Sequence, residues 1–213
     1  DITSFSGVVI GQNVSKTSYA NGNHKAVVIG SSTSGNGASV AIGTDVNAGH
    51  DAIAIGRSGT NASSFGGVAI GTNADASRNG LAIGISTSSG IAGVSIGKTN
   101  TTSTSGVAMG RDNSTGQTAL SLGINNSVGS YGNAVSIGIN NSGTGRGGVT
   151  IGVDNSTTSV SGPIAIGKLN RDISHGAIAI GYGNTDNSFS AVVIGKGNSG
   201  NSGRFTGAKT VVL

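Results

Sequence analysis

The sequence predicts an all-β protein, a parallel β-roll or β-solenoid of about fifteen short coils of 13–15 residues, as one repeat domain over residues 1–213. The main observation is a tetrapeptide motif, apolar–small–apolar–glycine, first present as VVIG at residues 8–11. Fourteen copies are complete, and a fifteenth begins at Val211. Successive motif glycines lie 13 to 15 residues apart after a first interval of 19. A short, fixed period over the whole chain is typical of a solenoid.

Composition supports a thin, repeated core. Glycine supplies 40 of 213 residues, aromatic residues supply 3%, and cysteine, tryptophan and glutamate are absent, so large side chains cannot fill a thick core. The regular Val-x-Ile pairs distinguish the chain from a disordered Gly/Ser/Asn-rich segment. The sequence contains no run of 18 apolar residues, so it predicts no membrane-spanning segment. The net charge of +4 is not concentrated in a basic cluster, which argues against nucleic-acid binding.

One coil illustrates the predicted local structure. Val40 and Ile42 are two residues apart, so they point to one side of a strand while Ala41 points to the other. Gly43 ends the strand, because glycine permits a positive φ or close backbone approach. The polar residues 44–50 then supply a second turn and a second short strand. Two strands and two tight bends predict a flattened, two-sided roll.

Stacked coils are expected to form ladders of equivalent side chains, with parallel strands about 4.8 Å apart. We expect the third motif residue to fill the interior and to be the main source of hydrophobic stabilisation. This column contains Ile10, Ile29, Ile42, Ile55, Ile70, Ile83, Ile96, Met109, Leu122, Ile137, Ile151, Ile166, Ile180, Ile194 and Leu213.

The second motif residue is then expected to point outward. This column holds only small or β-branched residues: Val9, Val28, Ala41, Ala54, Ala69, Ala82, Ser95, Ala108, Ser121, Ser136, Thr150, Ala165, Ala179, Val193 and Val212. A solvent-facing column would also contain Lys, Asp, Asn and Gln. Its restricted composition predicts a subunit interface along the axis. The alternative is that small residues simply suit a tight roll.

A second column lies three residues after the motif glycine. It begins with Val14, Thr33, Val46, Gly59, Ala74 and Thr87, and then contains asparagine alone: Asn100, Asn113, Asn126, Asn141, Asn155, Asn170, Asn184 and Asn198. Stacked asparagine amides can hydrogen-bond along the axis, and they can also bind backbone groups of turns. We predict a structural ladder. A row that binds a ligand is the alternative.

These repeats resemble the head repeats of YadA-like trimeric autotransporter adhesins. The resemblance is carried by residues 38–43 (ASVAIG) with Ala48 and Gly49, and by residues 73–76 (NADA) after Gly71. It implies a left-handed parallel β-roll, a tight homotrimer, and a bacterial cell-surface role in binding host extracellular-matrix protein or surface glycan. The asparagine column departs from the family's usual alanine, and the family's neck, stalk and anchor are not in this sequence.

A trimeric phage tail fibre that binds a host receptor is the alternative function, with a virion as its location. Phage fibres also use trimeric β-rolls, and a chain rich in Asn, Ser and Gly would suit one. No signal peptide is visible at Asp1, so an export signal or anchor is expected outside residues 1–213.

The residue directly after the motif glycine forms the predicted ligand-binding stripe. Its candidate residues are Arg57, Lys98, Arg111, Lys168, Tyr182 and Lys196, with Ile124, Ile139 and Val153 between them. Such a stripe could contact an anionic glycan or a fibrous protein. Scattered solubilising charge is the alternative.

Enzymatic, metal and cofactor sites are not expected. His24, His50 and His175 occupy different coils without ligand spacing, and the serine and threonine residues have no adjacent histidine base. A polysaccharide lyase would need clustered carboxylates, and an ice-binding solenoid would need Thr-x-Thr ladders. The long first coil, with Lys16 and Lys25, and the last coil, with Arg204, either cap the solenoid or carry recognition loops.

Overall fold

The computed structural model describes residues 7–17, 25–129, 132–143, 145–157, 161–172, 175–186, 190–200 and 211–212. Within these residues the protein is all-β, without helix, and forms a parallel β-solenoid, which confirms the predicted fold class. About eleven turns have both strands described with their side chains, fewer than the fifteen coils predicted. The chain divides into two compact units, residues 1–105 and 106–213, and the single repeat domain stays a prediction.

The described residues of the first unit form twelve strands, in which long motif strands and short second strands alternate except at β5 and β6. They are β1 Val8–Gln12, β2 Ser15–Thr17, β3 Val27–Ser31, β4 Ser34–Asn36, β5 Val40–Ala48, β6 Ile53–Ala62, β7 Val68–Thr72, β8 Asp75–Ala76, β9 Leu81–Ile85, β10 Ser88–Ser89, β11 Val94–Lys98 and β12 Thr101–Thr102. In β5 and β6 the two strands of one coil run together. Each motif strand pairs in parallel with that of the next coil, so Val8 lies beside Val27 and Gly11 beside Gly30.

In the second unit, the part of the chain that the structure describes repeats this arrangement with fifteen strands. They are β13 Val107–Arg111, β14 Ser114–Thr115, β15 Leu120–Ile124, β16 Ser127–Val128, β17 Val135–Ile139, β18 Ser142–Gly143, β19 Val149–Val153, β20 Ser156–Thr157, β21 Ile164–Lys168, β22 Arg171–Asp172, β23 Ile178–Tyr182, β24 Thr185–Asp186, β25 Val192–Lys196, β26 Ser199–Gly200 and β27 Val211–Val212. Odd-numbered strands form one parallel ladder and even-numbered strands the other.

The interior of each coil is filled by the small second motif residue, contrary to prediction. The predicted interface residues Ala41, Ala54, Ala69, Ala82, Ser95, Ala108, Ser121, Ser136, Ala165 and Ala179 are all 0% exposed within a single chain. They face the inside of their own coil and are not available to another subunit, so the predicted subunit interface is wrong. The third motif residue, predicted to lie inside, points out of the coil and is half-buried or exposed.

The narrow cross-section of the coil explains this inversion. In the coil of β3 and β4, a methyl group added to Gly35 would lie only 2.6 Å from Val28 Cγ2. A 13–15-residue coil with two strands brings its walls so close that alanine, serine, threonine and asparagine fill the space. Leucine or isoleucine on both walls would overpack it.

Each motif glycine is required by the stacking of its backbone on the next coil. Gly84 has φ +133°, and a Cβ there would collide with the carbonyl oxygen of Gly97. Two residues later the chain adopts a left-handed conformation in each of these turns, for example at Ser86 and Thr99. The motif glycine and this left-handed residue together turn the chain into the second strand.

One extra residue in the β6 coil shifts the inner column. Thr60 pairs with Val46 and is fully buried, whereas Gly59, the residue expected there, is exposed with φ +80°. The pairing then continues with the shifted offset, Asn47 beside Asn61 and Ala48 beside Ala62. The fixed three-residue offset after the glycine therefore fails in this coil, because the turn contains a bulge.

Candidate functional site

Large apolar side chains lie on the outside of both units, where they form what we call the outer apolar face. It consists of the first and third motif residues, whose ladders stack in register. In the first unit these are Val8, Ile10, Val27, Ile29, Val40, Ile42, Ile53, Ile55, Val68, Ile70, Leu81, Ile83, Val94 and Ile96. In the second they are Val107, Met109, Leu120, Leu122, Val135, Ile137, Val149, Ile151, Ile164, Ile166, Ile178, Ile180, Val192 and Ile194.

Neighbouring rungs shield this face only in part. Most of its side chains are half-buried, while Ile53 is 37% and Met109 41% exposed. No described element of either unit covers the two columns. Exposed apolar surfaces of this kind are typical of association sites, so this face is a candidate for one.

The asparagine column lies inside the coils. Asn113, Asn126, Asn141, Asn155, Asn170 and Asn184 are at most 1% exposed in the second unit, Asn198 is half-buried, and Asn100 is 0% exposed in the first unit. Their depth leaves no surface for a ligand, except at Asn198.

From Asn113 to Asn184, each side-chain amide donates to the carbonyl of the third motif residue in its own coil and to the carbonyl of the motif glycine in the next coil. Asn141 Nδ2 donates to the carbonyl oxygens of Ile137 at 3.0 Å and Gly152 at 2.8 Å, and to Asn126 Oδ1 at 3.1 Å. Asn141 Oδ1 accepts from the Asn155 backbone N–H at 3.0 Å. The side chain therefore ties three successive coils together.

Threonine takes over part of this role in the first unit. Thr33 Oγ1 donates to the Gly43 carbonyl at 2.8 Å, and Thr60 Oγ1 donates to the Gly71 carbonyl at 2.9 Å. These carbonyls belong to the motif glycine of the next coil, as in the asparagine column. Threonine hydroxyl groups in the first unit and asparagine amides in the second thus donate to equivalent carbonyl oxygens, those of the motif glycines.

The predicted ligand-binding stripe is exposed but is not one continuous basic surface. Arg57 and Lys98 lie in the first unit, with Thr72 and Ile85 between them in register. Arg57 Nε donates to Thr72 Oγ1 at 3.3 Å. The two cations are therefore separated by two coils whose residues in this column, Thr72 and Ile85, are uncharged.

In the second unit the stripe has a basic end and an apolar middle. Arg111 Nε lies 3.4 Å from Asp112 Oδ2, an exposed ion pair. Ile124, Ile139 and Val153 follow in register. The column then continues through Lys168, Tyr182 and Lys196 on three successive stacked strands, which form its second basic end.

These three residues form the one compact cluster among the predicted stripe positions in the described chain. Lys168 Nζ lies 6.0 Å and Lys196 Nζ 5.7 Å from the centroid of the Tyr182 ring, within cation–π range. The Tyr182 side chain is 45% exposed. Two ammonium groups and an accessible aromatic ring are thereby held on adjacent strands.

Sequence reasoning missed a second column, half-buried at His50 and exposed at its other three residues, at the turn that precedes the motif in four coils of the first unit. His50, Phe65, Arg78 and Ile91 follow one another in successive coils, linked by bonds such as Asn79 N–H to the Phe65 carbonyl at 2.9 Å. Phe65 is 49% and Ile91 50% exposed. Each residue lies three positions before a motif, so an offset counted backwards from the motif would have found the column.

The histidines do not form a metal site in the described residues. His50 Nδ1 lies 2.8 Å from Asp51 Oδ2, and its ring packs 4.8 Å from the Phe65 ring. His175 lies in the second unit, and His24 is outside the described residues, as are Arg204 and Leu213. No group of three His, Cys, Asp or Glu side chains in the described chain could hold an ion. The same residues include no helix long and apolar enough to cross a bilayer.

Comparison with protein-family models, curated proteins and solved structures gave no significant match.

Proposed function

We propose that this chain is a non-enzymatic adhesive module: the repeat segment of a trimeric, YadA-like head on the bacterial cell surface that binds host matrix protein or surface glycan. The observation that carries the proposal is the outer apolar face, which runs through the motif strands of each unit without a covering element among the described residues. A secreted or surface-exposed protein would not leave such a face in water unless something packed on it.

We assign further copies of the same chain as the occupant of this face. Identical copies have the same rung spacing of about 4.8 Å, so their valine and isoleucine ladders can pack along the entire face without loss of register. In the first unit, seven motif strands carry the columns over about 29 Å at that spacing. The number of three chains comes from the resemblance of the motif to YadA-like heads.

The assembly is tested by light scattering and chemical crosslinking of the purified chain. We expect a mass three times the 20.4 kDa of one chain, independent of concentration down to the micromolar range. A stable monomer would contradict both the trimer and the adhesin assignment.

A matched pair of substitutions within β9 tests the location of the interface. Ile83→Asp introduces a charge into the outer apolar face, and we expect it to yield monomers that retain the β-sheet circular dichroism spectrum. Ile85→Asp, the control, lies beyond the motif glycine at a position that is already 51% exposed, and should leave the trimer intact. If Ile83→Asp remains trimeric, the chains associate through another surface.

Binding is tested with the soluble trimer against immobilised extracellular-matrix proteins, host cells and bacterial surface polysaccharide. Saturable binding to matrix or host cells supports the adhesin. Binding restricted to bacterial polysaccharide would instead support the trimeric phage tail fibre. The triple variant K98A/R111A/K168A should reduce adhesion if the stripe takes part, and unchanged adhesion would exclude it.

A further inference from the structure

Lys168, Tyr182 and Lys196 lie on three consecutive motif strands of the second unit, β21, β23 and β25. Their backbones pair in register, so Lys168 and Lys196 are separated by two strand spacings, about 10 Å at the backbone. Both Nζ atoms approach the ring of Tyr182, at 6.0 Å and 5.7 Å from its centroid. The hydrogen-bonded sheet therefore fixes the spacing of the two cations.

The turns beside these lysines carry no acidic side chain at the adjoining position. Arg111 is followed by Asp112 and pairs with it, whereas Lys168 is followed by Leu169 and Lys196 by Gly197. The ion pairs found in the described residues do not include Lys168 or Lys196. Their charge remains available to an external anion.

Open space adjoins the cluster on the side of the turn. Gly183 and Gly197 occupy the left-handed position, with φ +67° and +68°, and a Cβ at either would meet no atom within 4 Å. In all of the remaining described coils, the residue at this position has a side chain: Asn13, Ser32, Asp45, Ser58, Asn73, Ser86, Thr99, Asp112, Asn125, Asn140, Asp154 and Leu169. The absence of side chains therefore coincides with the coils that carry Tyr182 and Lys196.

We propose that Lys168, Tyr182 and Lys196 form a binding site for an anionic oligosaccharide. Its sulfate or carboxylate groups would bind the two ammonium groups, and a sugar ring would lie over the bare turn at Gly183 and Gly197 against the edge of Tyr182. The site is shallow and open, without the deep apolar pocket that anchors a peptide side chain. It rests on the proposed binding function and specifies its ligand class.

The test uses isothermal titration of the trimer, or of whichever assembly the purified chain forms, with three defined oligosaccharides of equal length. A heparin-derived tetrasaccharide supplies sulfates, a hyaluronan tetrasaccharide supplies carboxylates alone, and chitotetraose is neutral. We expect binding of at least one anionic probe, weakened by salt, and no binding of chitotetraose. The two anionic probes distinguish a sulfate site from a carboxylate site.

Variants locate the site. K168A/K196A and Y182A should each weaken binding at least tenfold, while R146A, which removes an exposed cation of the same unit outside the stripe, should change it less than twofold. Gly183→Asn fills the open space with a residue that Asn125 and Asn140 show to be compatible with the left-handed turn. It should weaken binding while leaving the melting temperature unchanged.

Failure of both anionic probes to bind at millimolar concentration would overturn the site. An equal loss in R146A would also overturn it, because it would indicate diffuse attraction of a polyanion. So would unchanged binding in both single variants, Gly183→Asn and Y182A. Binding to an acidic peptide but to no oligosaccharide would also overturn it. Each of these results leaves adhesion to matrix protein through another surface measurable, so the proposed function and this site can fail separately.

Discussion

Asn126 Nδ2 donates a hydrogen bond to Asn113 Oδ1 in the preceding coil, 3.1 Å away, and the Asn126 backbone N–H donates to the same oxygen at 3.0 Å. Both side chains are 1% exposed. The relationship repeats from Asn126 to Asn141 and from Asn141 to Asn155. In the second unit, hydrogen bonds within a buried column of asparagine side chains thus hold successive coils together, a role that apolar packing has in proteins with a thicker core.

Loss of one amide from this column should be costly. Asn141→Ala removes the donor to the Ile137 and Gly152 carbonyls and the acceptor for Asn155 N–H, leaving buried polar groups without partners. We expect a loss of about 3 kcal/mol in unfolding free energy, since several buried groups lose their partners at once. Urea unfolding followed by circular dichroism measures it.

The adjacent residue supplies the control. Asn140 is exposed and left-handed at φ +55°, so Asn140→Gly removes a side chain without imposing backbone strain. Its bonds to Asn125 and Asp154 are exposed, and the change should cost less than about 1 kcal/mol. Equal losses of unfolding free energy in the two variants would mean that the buried asparagine column contributes no more to stability than the exposed asparagine side chains do.

The repeat was readable from the sequence, but the face that lies inside was not. A period of two establishes that Val94 and Ile96 share one side of a strand and Ser95 the other, and it does not say which side faces inward. The usual preference for large apolar residues in the core favours the wrong side here. Which side faces inward depends on the width of the coil. That width is set by the distance between its two strands and cannot be read from any single residue.

The inverted face can be tested directly at Ala82, which is 0% exposed. Ala82→Leu should overpack the interior and lower the unfolding free energy by about 1–3 kcal/mol. Ile83→Leu, on the outer apolar face next to it, should change stability by less than about 1.5 kcal/mol, because its volume is conserved. Thermal and urea unfolding of both variants measure the difference. A stable, well-folded Ala82→Leu variant would contradict the assignment of this residue to the interior.

Columns that follow the motif at a constant offset were predictable, and those that shift were not. The offset of three residues placed Asn113 and its equivalents in one ladder, but the extra residue in the β6 coil replaces Gly59 with Thr60. The contacts of Lys168 and Lys196 with Tyr182 depend on side-chain conformations, although their common column was visible. The column of Phe65 and Ile91 precedes the motif, so offsets counted forward from the motif glycine do not reveal it.

The motif glycine should tolerate no side chain. Gly84→Ala would place a Cβ against the Gly97 carbonyl oxygen and hold alanine at φ +133°, so backbone of the stacked coils must move apart. We expect a loss of at least about 3 kcal/mol, or failure to fold at 37 °C, because two mechanisms of severe destabilisation combine. The yield of soluble protein and the melting temperature measure it.

Gly59, in the same unit, provides the control for the loss of stability expected in Gly84→Ala. Gly59 also has a positive φ, of +80°, but a Cβ there would approach only Asn73 Oδ1, at 3.7 Å. Gly59→Asn should therefore fold with a melting temperature within a few degrees of the parent. If Gly84→Ala were equally mild, close backbone stacking would not be the reason for the repeated glycine.

Thr99 offers a stabilising substitution, because a β-branched residue is held there in the left-handed region at φ +54°. Such a conformation costs about 1–2 kcal/mol for an ordinary L-residue, and asparagine adopts it more readily. Asn73 and Asn125 occupy the equivalent position in other coils. Thr99→Asn should therefore raise the unfolding free energy by about 1 kcal/mol.

The same change at Thr101, an exposed residue of β12, should be neutral or slightly destabilising, since threonine suits a strand better. Differential scanning calorimetry of the two variants would show opposite or unequal shifts, and a Thr99→Asn variant that melts no higher than the Thr101→Asn variant would contradict the strain at Thr99.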